Sequence, residues 1–242
     1  MKEILRRSAA ALAAVITLAG MASCSSNNTD TVSQEDNLVG SPAPGNSANE
    51  SDMPYGSTVA TLIPNEENGA KLEVEYDRRF FTEEEASMLG DFIYSLGTGD
   101  VSAVENEFYP PVLNYYCEMT KQESSSDYFS KLHDNYEAIL GNGFVFDKVY
   151  IENCFTDTDP GTESGMAFND VSTMLDDLSE EGDKISDKVD EASRRYIYLD
   201  ATYTLPGSTE ELSLRNAIAK IDSEAQYLQM LMYTIDGTTY IF

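Results

Sequence analysis

Few side chains in this chain have types and spacing that could do chemistry. The single histidine, His133, stands beside Asp134 in a stretch whose apolar positions Phe129, Leu132, Tyr136 and Leu140 recur at helical spacing. That places His133 near the edge of the apolar face. A histidine with a neighbouring carboxylate can act as a general base inside a pocket. It can equally be a half-buried structural residue. One histidine excludes multi-histidine zinc or copper sites. With no Gly-x-Ser-x-Gly elbow in the chain, a serine hydrolase triad has no support, and no catalytic residue is assigned.

Asp157, Asp159 and Glu163 cluster around Pro160-Gly161, and oxygen-rich loops suit Ca²⁺. They are weak Ca²⁺ candidates. In an EF-hand register starting at Asp157, Thr162 takes the place of the turn glycine and Phe168 that of the final glutamate. A solvated acidic loop is the default, so no metal site or other cofactor is assigned. The surrounding run 157–191 holds twelve Asp and Glu against Lys184 and Lys188. Such a run can bind a basic protein or peptide, or it can be a solvated helix face.

Cys117 and Cys154 could pair in an oxidising compartment. The bridge would close a loop of about 36 residues and contribute about 3–4 kcal/mol in the chain-entropy account. Cys154 also fits the inward face of a strand, where a free thiol packs as a small hydrophobe. The 15 tyrosines include Tyr196, Tyr198, Tyr203, Tyr227, Tyr233 and Tyr240. A tyrosine-lined sheet face can stack on sugars or grip peptides, although strands favour tyrosine for packing alone.

These groups sit in a chain of 242 residues with 43 Asp and Glu against 15 Lys and Arg, a net charge of -28. Hydrophobic residues make up 41%, enough to bury a core. The acidity argues against a nucleic-acid partner, since phosphate recognition needs clustered Lys and Arg. The N-terminus carries Lys2, Arg6 and Arg7, then an apolar run of about 12 residues ending at Gly20. That run is short of the ~20 residues needed to span a bilayer, so residues 1–23 read as a signal peptide.

Met21-Ala22-Ser23-Cys24 resembles the lipobox of bacterial lipoproteins, with Met21 where leucine is more usual. The resemblance implies cleavage before Cys24 and diacylglycerol on its sulfur. It places the protein on the extracytoplasmic face of a cell membrane, held by lipid on Cys24. Two acyl chains suffice for stable anchoring. Residues 24–54 are rich in Ser, Asn, Asp, Gly and Pro, with no aromatic residue and no Lys or Arg. They read as a disordered acidic linker with a span of roughly 30 Å. Residues 55–242 then form one domain.

The elements of that domain follow from pattern. Val59, Leu62 and Ile63 suggest a short strand, and Leu72, Val74 and Tyr76 alternate with Glu73 and Glu75. Thr82-Glu83-Glu84-Glu85 is a capping box that starts a helix carrying Ala86, Leu89, Phe92, Ile93 and Leu96. Asp100 can cap a second helix through Phe108, and Pro111 can start a third. Another helix is expected over 127–140, ended by Gly141-Asn142-Gly143. Strands follow at 144–155 and 195–205, with Val145, Val149, Ile151 and Phe155 on one side of the first. A final hairpin, 227–235 and 238–242, turns at Asp236-Gly237, a pair suited to a type I′ turn. Residues 168–191 read as one broken or two short acidic helices, and 209–221 as a helix.

Helices first, then a long strand and a closing hairpin: this order resembles the cone-shaped α+β fold of the nuclear transport factor two-like (cystatin-like) superfamily. Ile235-Asp236-Gly237-Thr238-Thr239-Tyr240-Ile241 fits the family's last hairpin, with Thr239 in place of the usual Trp. The short stretch from Gly99-Asp100 through Val101, Val104 and Tyr109 also fits. The resemblance implies N-terminal helices packed on a curved antiparallel sheet, with an acidic helical insertion. Such domains host enzymes, carriers and interaction modules. The expected function is a lipid-anchored, non-enzymatic module that binds a protein or peptide. A small-molecule or glycan carrier is the alternative, and an enzyme ranks third. An interior filled by its own aromatics favours interaction, whereas an open apolar pocket favours a carrier. A pocket carboxylate or His133 with a displaced pKa favours an enzyme.

Overall fold

Thr82 does what its capping box predicts in the computed structural model of the protein. Its hydroxyl accepts the Glu85 N–H and the Glu85 carboxylate accepts the Thr82 N–H, starting helix α1 (Glu83–Thr98). The structure describes residues 53–180, 182–222 and 227–242. The signal peptide, Cys24 and nearly all of the linker therefore lie outside the described residues. Before α1 come strands β1 (Val59–Leu62) and β2 (Glu73–Asp77), which pair antiparallel. After it come helices α2 (Pro110–Thr120) and α3 (Ser125–Leu140), then strand β3 (Val145–Phe155). The three helices form the crossover that lets β3 run parallel to β2, a connection that parallel strands require.

Helix α4 (Glu163–Asp177) leads to strand β4 (Val189–Thr204), a two-residue strand β5 (Leu212–Ser213), helix α5 (Leu214–Ala219) and the hairpin β6 (Leu228–Ile235) and β7 (Thr238–Ile241). The fold is α+β. One open seven-stranded sheet runs β1-β2-β3-β4-β6-β7, with β5 on the C-terminal part of β4, and every pairing except β2–β3 is antiparallel. Asp236 and Gly237 both take positive φ, as a type I′ turn demands.

The layer between α1 and the sheet is filled. Leu89, Ile93 and Leu96 of α1 are buried with Val74 and Val149 of the sheet. Gly90 and Gly97 lie two turns apart and let the helix approach closely. A Cβ on Gly90 would fall 2.7 Å from Val74 Cγ2, and one on Gly97 3.0 Å from Phe146 Cδ2. Phe92, Phe108 and Phe129 join α1, the following loop and α3, with ring centroids 5.9–6.4 Å apart.

The structure departs from the pattern in five places. In β3 the buried residues are Phe146, Val149, Ile151 and Cys154, while Val145 is exposed. Register shifts at Phe146/Lys148 and Ile151/Asn153 flip the alternation twice. Asp100 caps only a 3₁₀ turn, Val101–Ala103, in place of a helix reaching Phe108. The helix expected from 168 begins at Glu163, because the Thr162 hydroxyl caps Gly165 N–H. Only a second 3₁₀ turn, Ile185–Lys188, follows it before β4 starts at Val189, earlier than 195. An irregularity between Asp190 and Arg195 interrupts the alternation there. The helix expected over 209–221 is confined to α5, capped by Ser213.

Candidate functional site

The first turns of α1 carry more acid than the capping box uses. Glu83, Ser87 and Asp91 are spaced by four residues and share a face with Glu84 and Met88. A cavity of about 590 Å³ opens on that face. Its other walls are Leu62, Asn68, Asn106, Glu107 and the two threonines of β7, Thr238 and Thr239. No Lys or Arg lines it.

Glu107 is brought there by the chain between the first 3₁₀ turn and α2. Its carbonyl accepts the Ile241 N–H at 2.9 Å, and Phe108 bridges to Ile241 in parallel. This pins the loop to β7 opposite α1. Asp91 Oδ1 and Glu107 Oε2 are both buried without a hydrogen-bond partner. Burial, helped by the Asp91 charge, pushes the Glu107 carboxyl up to about 8. Burial also raises Asp91, and the Lys71 backbone N–H and charge offset part of that. At neutral pH Glu107 therefore holds a proton most of the time, beside a second carboxyl that lines the same space. Such a pair can exchange its proton for a cation or move a proton to and from a bound group.

The groups that stood out in the sequence are dispersed. His133 bonds through Nδ1 to the Leu96 carbonyl at 3.0 Å and stacks on Phe144, which ties α3 to the end of α1. It does not line the cavity. Asp157 and Asp159 turn their carboxylates onto the backbone N–H groups of Asp159 and Gly161. Glu163 instead accepts from Tyr196, Tyr198 and Gln229. Among the described residues no three carboxylate, thiol or imidazole groups gather where they could hold one metal ion. Cys117 on α2 and Cys154 on β3 are both buried free thiols. Burial pushes Cys154 up to about 12 and raises Cys117, so both stay protonated. Within 157–191, Asp176 pairs with Lys184 and Ser186, and Asp183 pairs with Lys188. Part of that run's charge is thus met internally.

Sequence reasoning passed over Asp91 and Glu107. The signal available was a carboxylate embedded in each apolar pattern: Asp91 between Leu89 and Phe92, and Glu107 beside Phe108. Only the pairing of that loop with β7 joins them. Among the described residues no helix is long and apolar enough to cross a membrane. Comparison with protein-family models, with curated proteins and with solved structures found no match for this chain.

Proposed function

We propose that the protein is a lipid-anchored extracytoplasmic binding module, held by lipid on Cys24, whose folded part engages a basic peptide or protein. One observation carries this reading: Glu83, Glu84, Asp91 and Glu107 wall one cavity whose lining holds no cation, on a chain of net charge -28. A cationic side chain entering it would replace missing counter-charge and give partners to the buried oxygens of Asp91 and Glu107. The filled layer under α1 also favours interaction over a carrier that would use the interior. In this proposal the sheet and helices form the cone-like module of the nuclear transport factor two-like lipoproteins, with 157–191 as an acidic elaboration and residues 24–54 as its tether.

The test is titration of the soluble chain, residues 25–242, with a hexalysine peptide by calorimetry. Salt-dependent binding that E83Q/E84Q/D91N weakens by tenfold or more is expected. A control with Glu66, Glu123 and Glu210 neutralised should bind as the parent does. Equal loss in both variants would reduce the effect to net charge and refute the site.

One observation favours a second reading. Glu107 with a carboxyl near neutrality beside Asp91 is the equipment of acid–base catalysis. A small-molecule amine substrate would suit the same cavity.

A further inference from the structure

A second concavity, of about 230 Å³, lies away from α1 where the end of β3, the start of α4 and the middle of β4 meet. Its walls are largely aromatic. Phe155 and Tyr198 stand 5.0 Å apart, centroid to centroid, at 68°, and Tyr196 and Tyr198 stand 5.5 Å apart at 70°. Phe155 and Tyr196 are tilted at 42° with centroids 6.3 Å apart, so the three rings that line the space are not coplanar and offer it both π surface and ring edges.

The polar side of the cup is acidic. Glu163 Oε1 accepts Tyr196 Oη at 2.8 Å and Gln229 Nε2 at 3.1 Å, and Oε2 accepts Tyr198 Oη at 2.5 Å. A carboxylate offers about four acceptor positions, so Oε2 keeps one. Asp157 stands at the exposed rim with one oxygen engaged by Asp159 N–H. Burial, and then the bonds to Glu163, raise both tyrosines well above their ordinary value, so the hydroxyls stay protonated and hold the carboxylate in place. The aromatic row already holds one cation on its flank: Tyr227 stacks on Tyr198 at 5.1 Å, and the Arg215 guanidinium lies 4.4 Å over the Tyr227 ring.

We propose that the Phe155–Tyr196–Tyr198 cup, with Glu163 as its anion, binds the alkylammonium end of a lysine side chain on a partner peptide. Ring faces attract a cation and accept its methylene stem. The open acceptor position on Glu163 favours an ammonium that can donate a hydrogen bond over a quaternary amine that cannot. Sugars also stack on tyrosine, but the Thr162 and Ser164 hydroxyls that line the cup donate to the Asp159 and Asp157 carbonyls, and the two carboxylates, with no cation in the lining, favour a positive ligand over a neutral one. This site is separate from the α1 cavity, and its test is independent of that reading.

The experiment is NMR titration of ¹⁵N-labelled chain, residues 25–242, with Nα-acetyl-lysine methylamide, following the amides of β4 around Tyr196 and Tyr198. Shifts saturating at a dissociation constant on the order of 1 mM are expected, as suits so small a ligand. The norleucine analogue, which keeps the stem and loses the charge, should bind at least tenfold more weakly. E163Q should weaken lysine binding about tenfold, and Y198L should weaken it further. E123Q, at an exposed residue outside both the cup and the α1 cavity, should leave it unchanged and serves as a folded control. Choline binding as tightly as the lysine probe would overturn the assignment to lysine. Saturable binding of methyl glucoside without the lysine probe, or no shift at β4 with any probe, would overturn the cup as a cation site.

Discussion

Glu107→Gln isolates the electrostatic cost of the cavity, because the amide keeps the shape of the side chain and removes its titration. In the folded protein Glu107 is pushed from an ordinary 4.5 up to about 8 by burial and by Asp91. Between those pH values the folded state holds a proton that the unfolded chain has released. Stability must therefore fall as pH rises across that window, and the loss is complete above pH 8. At about 1.4 kcal/mol per pH step, the whole span corresponds to about 5 kcal/mol as an upper bound. Relaxation and water entry lower it, but half of that figure still moves the melting temperature of a domain this size by about 5–10 °C. The assay is thermal unfolding of residues 25–242 and its E107Q variant from pH 4.5 to 9. Wild type should lose stability relative to E107Q steadily above pH 5, and the two curves should run parallel again above pH 8. D91N, which removes the neighbouring charge, should shift the wild-type descent to higher stability at each pH. Curves for wild type and E107Q that stay parallel throughout would show that Glu107 is not held as described.

Other outcomes follow from particular contacts. Asp77 is fully buried and bonds Arg79 at 2.6 Å, Gly56 N–H at 2.9 Å and Thr58, so D77A should cost about 3–5 kcal/mol in chemical denaturation. Those bonds, that of Arg79 foremost, hold the Asp77 carboxyl well below its usual range. Its contribution is present above about pH 4 and is lost as pH falls further, so D77N should flatten the acid limb of the stability curve. Gly90→Ala drives a methyl into Val74. The overpacking cost of about 1–3 kcal/mol should outweigh the helix-propensity gain of about 1 kcal/mol, and a higher melting temperature would refute the close approach. The proposed anchoring through Cys24 predicts that Cys24→Ser moves the full-length protein, expressed in a bacterium, from the membrane fraction to the soluble fraction. Retention in the membrane would sink the lipoprotein assignment.

Much of the local structure was legible in the residues. Thr82 and Glu85 satisfy each other's backbone neighbours whatever the rest of the chain does, so α1 starts where the capping box says. Asp236-Gly237 adopts positive φ at little cost, so the last hairpin turns there. Ile197, Leu199, Ala201 and Tyr203 keep strict alternation, and all four are buried. Alternation failed in β3, because two register shifts reverse which residues face inward and nothing local announces a bulge. The start of α4 depends on Thr162 and on Gly165 lying against the Asp159 backbone, where a Cβ would come within 1.9 Å of its carbonyl oxygen. That contact exists only once the loop has folded back.

The same division applies to function. Charge balance, the scarcity of histidine and the composition of residues 1–54 are properties of the chain, and the proposed classes of partner and chemistry are drawn from them. Which carboxylates matter is a property of the fold. Asp91 and Glu107 are separated in sequence by a helix end and a turn, and become a pair because β7 captures the loop before α2. Glu163 looked like a loop ligand beside Asp157 and Asp159, yet the pairing of β4 with β3 and β6 gives it to two tyrosines and a glutamine instead. Side-chain chemistry is written residue by residue, but desolvation and proximity, which decide what that chemistry can do, arise only when distant segments share one sheet.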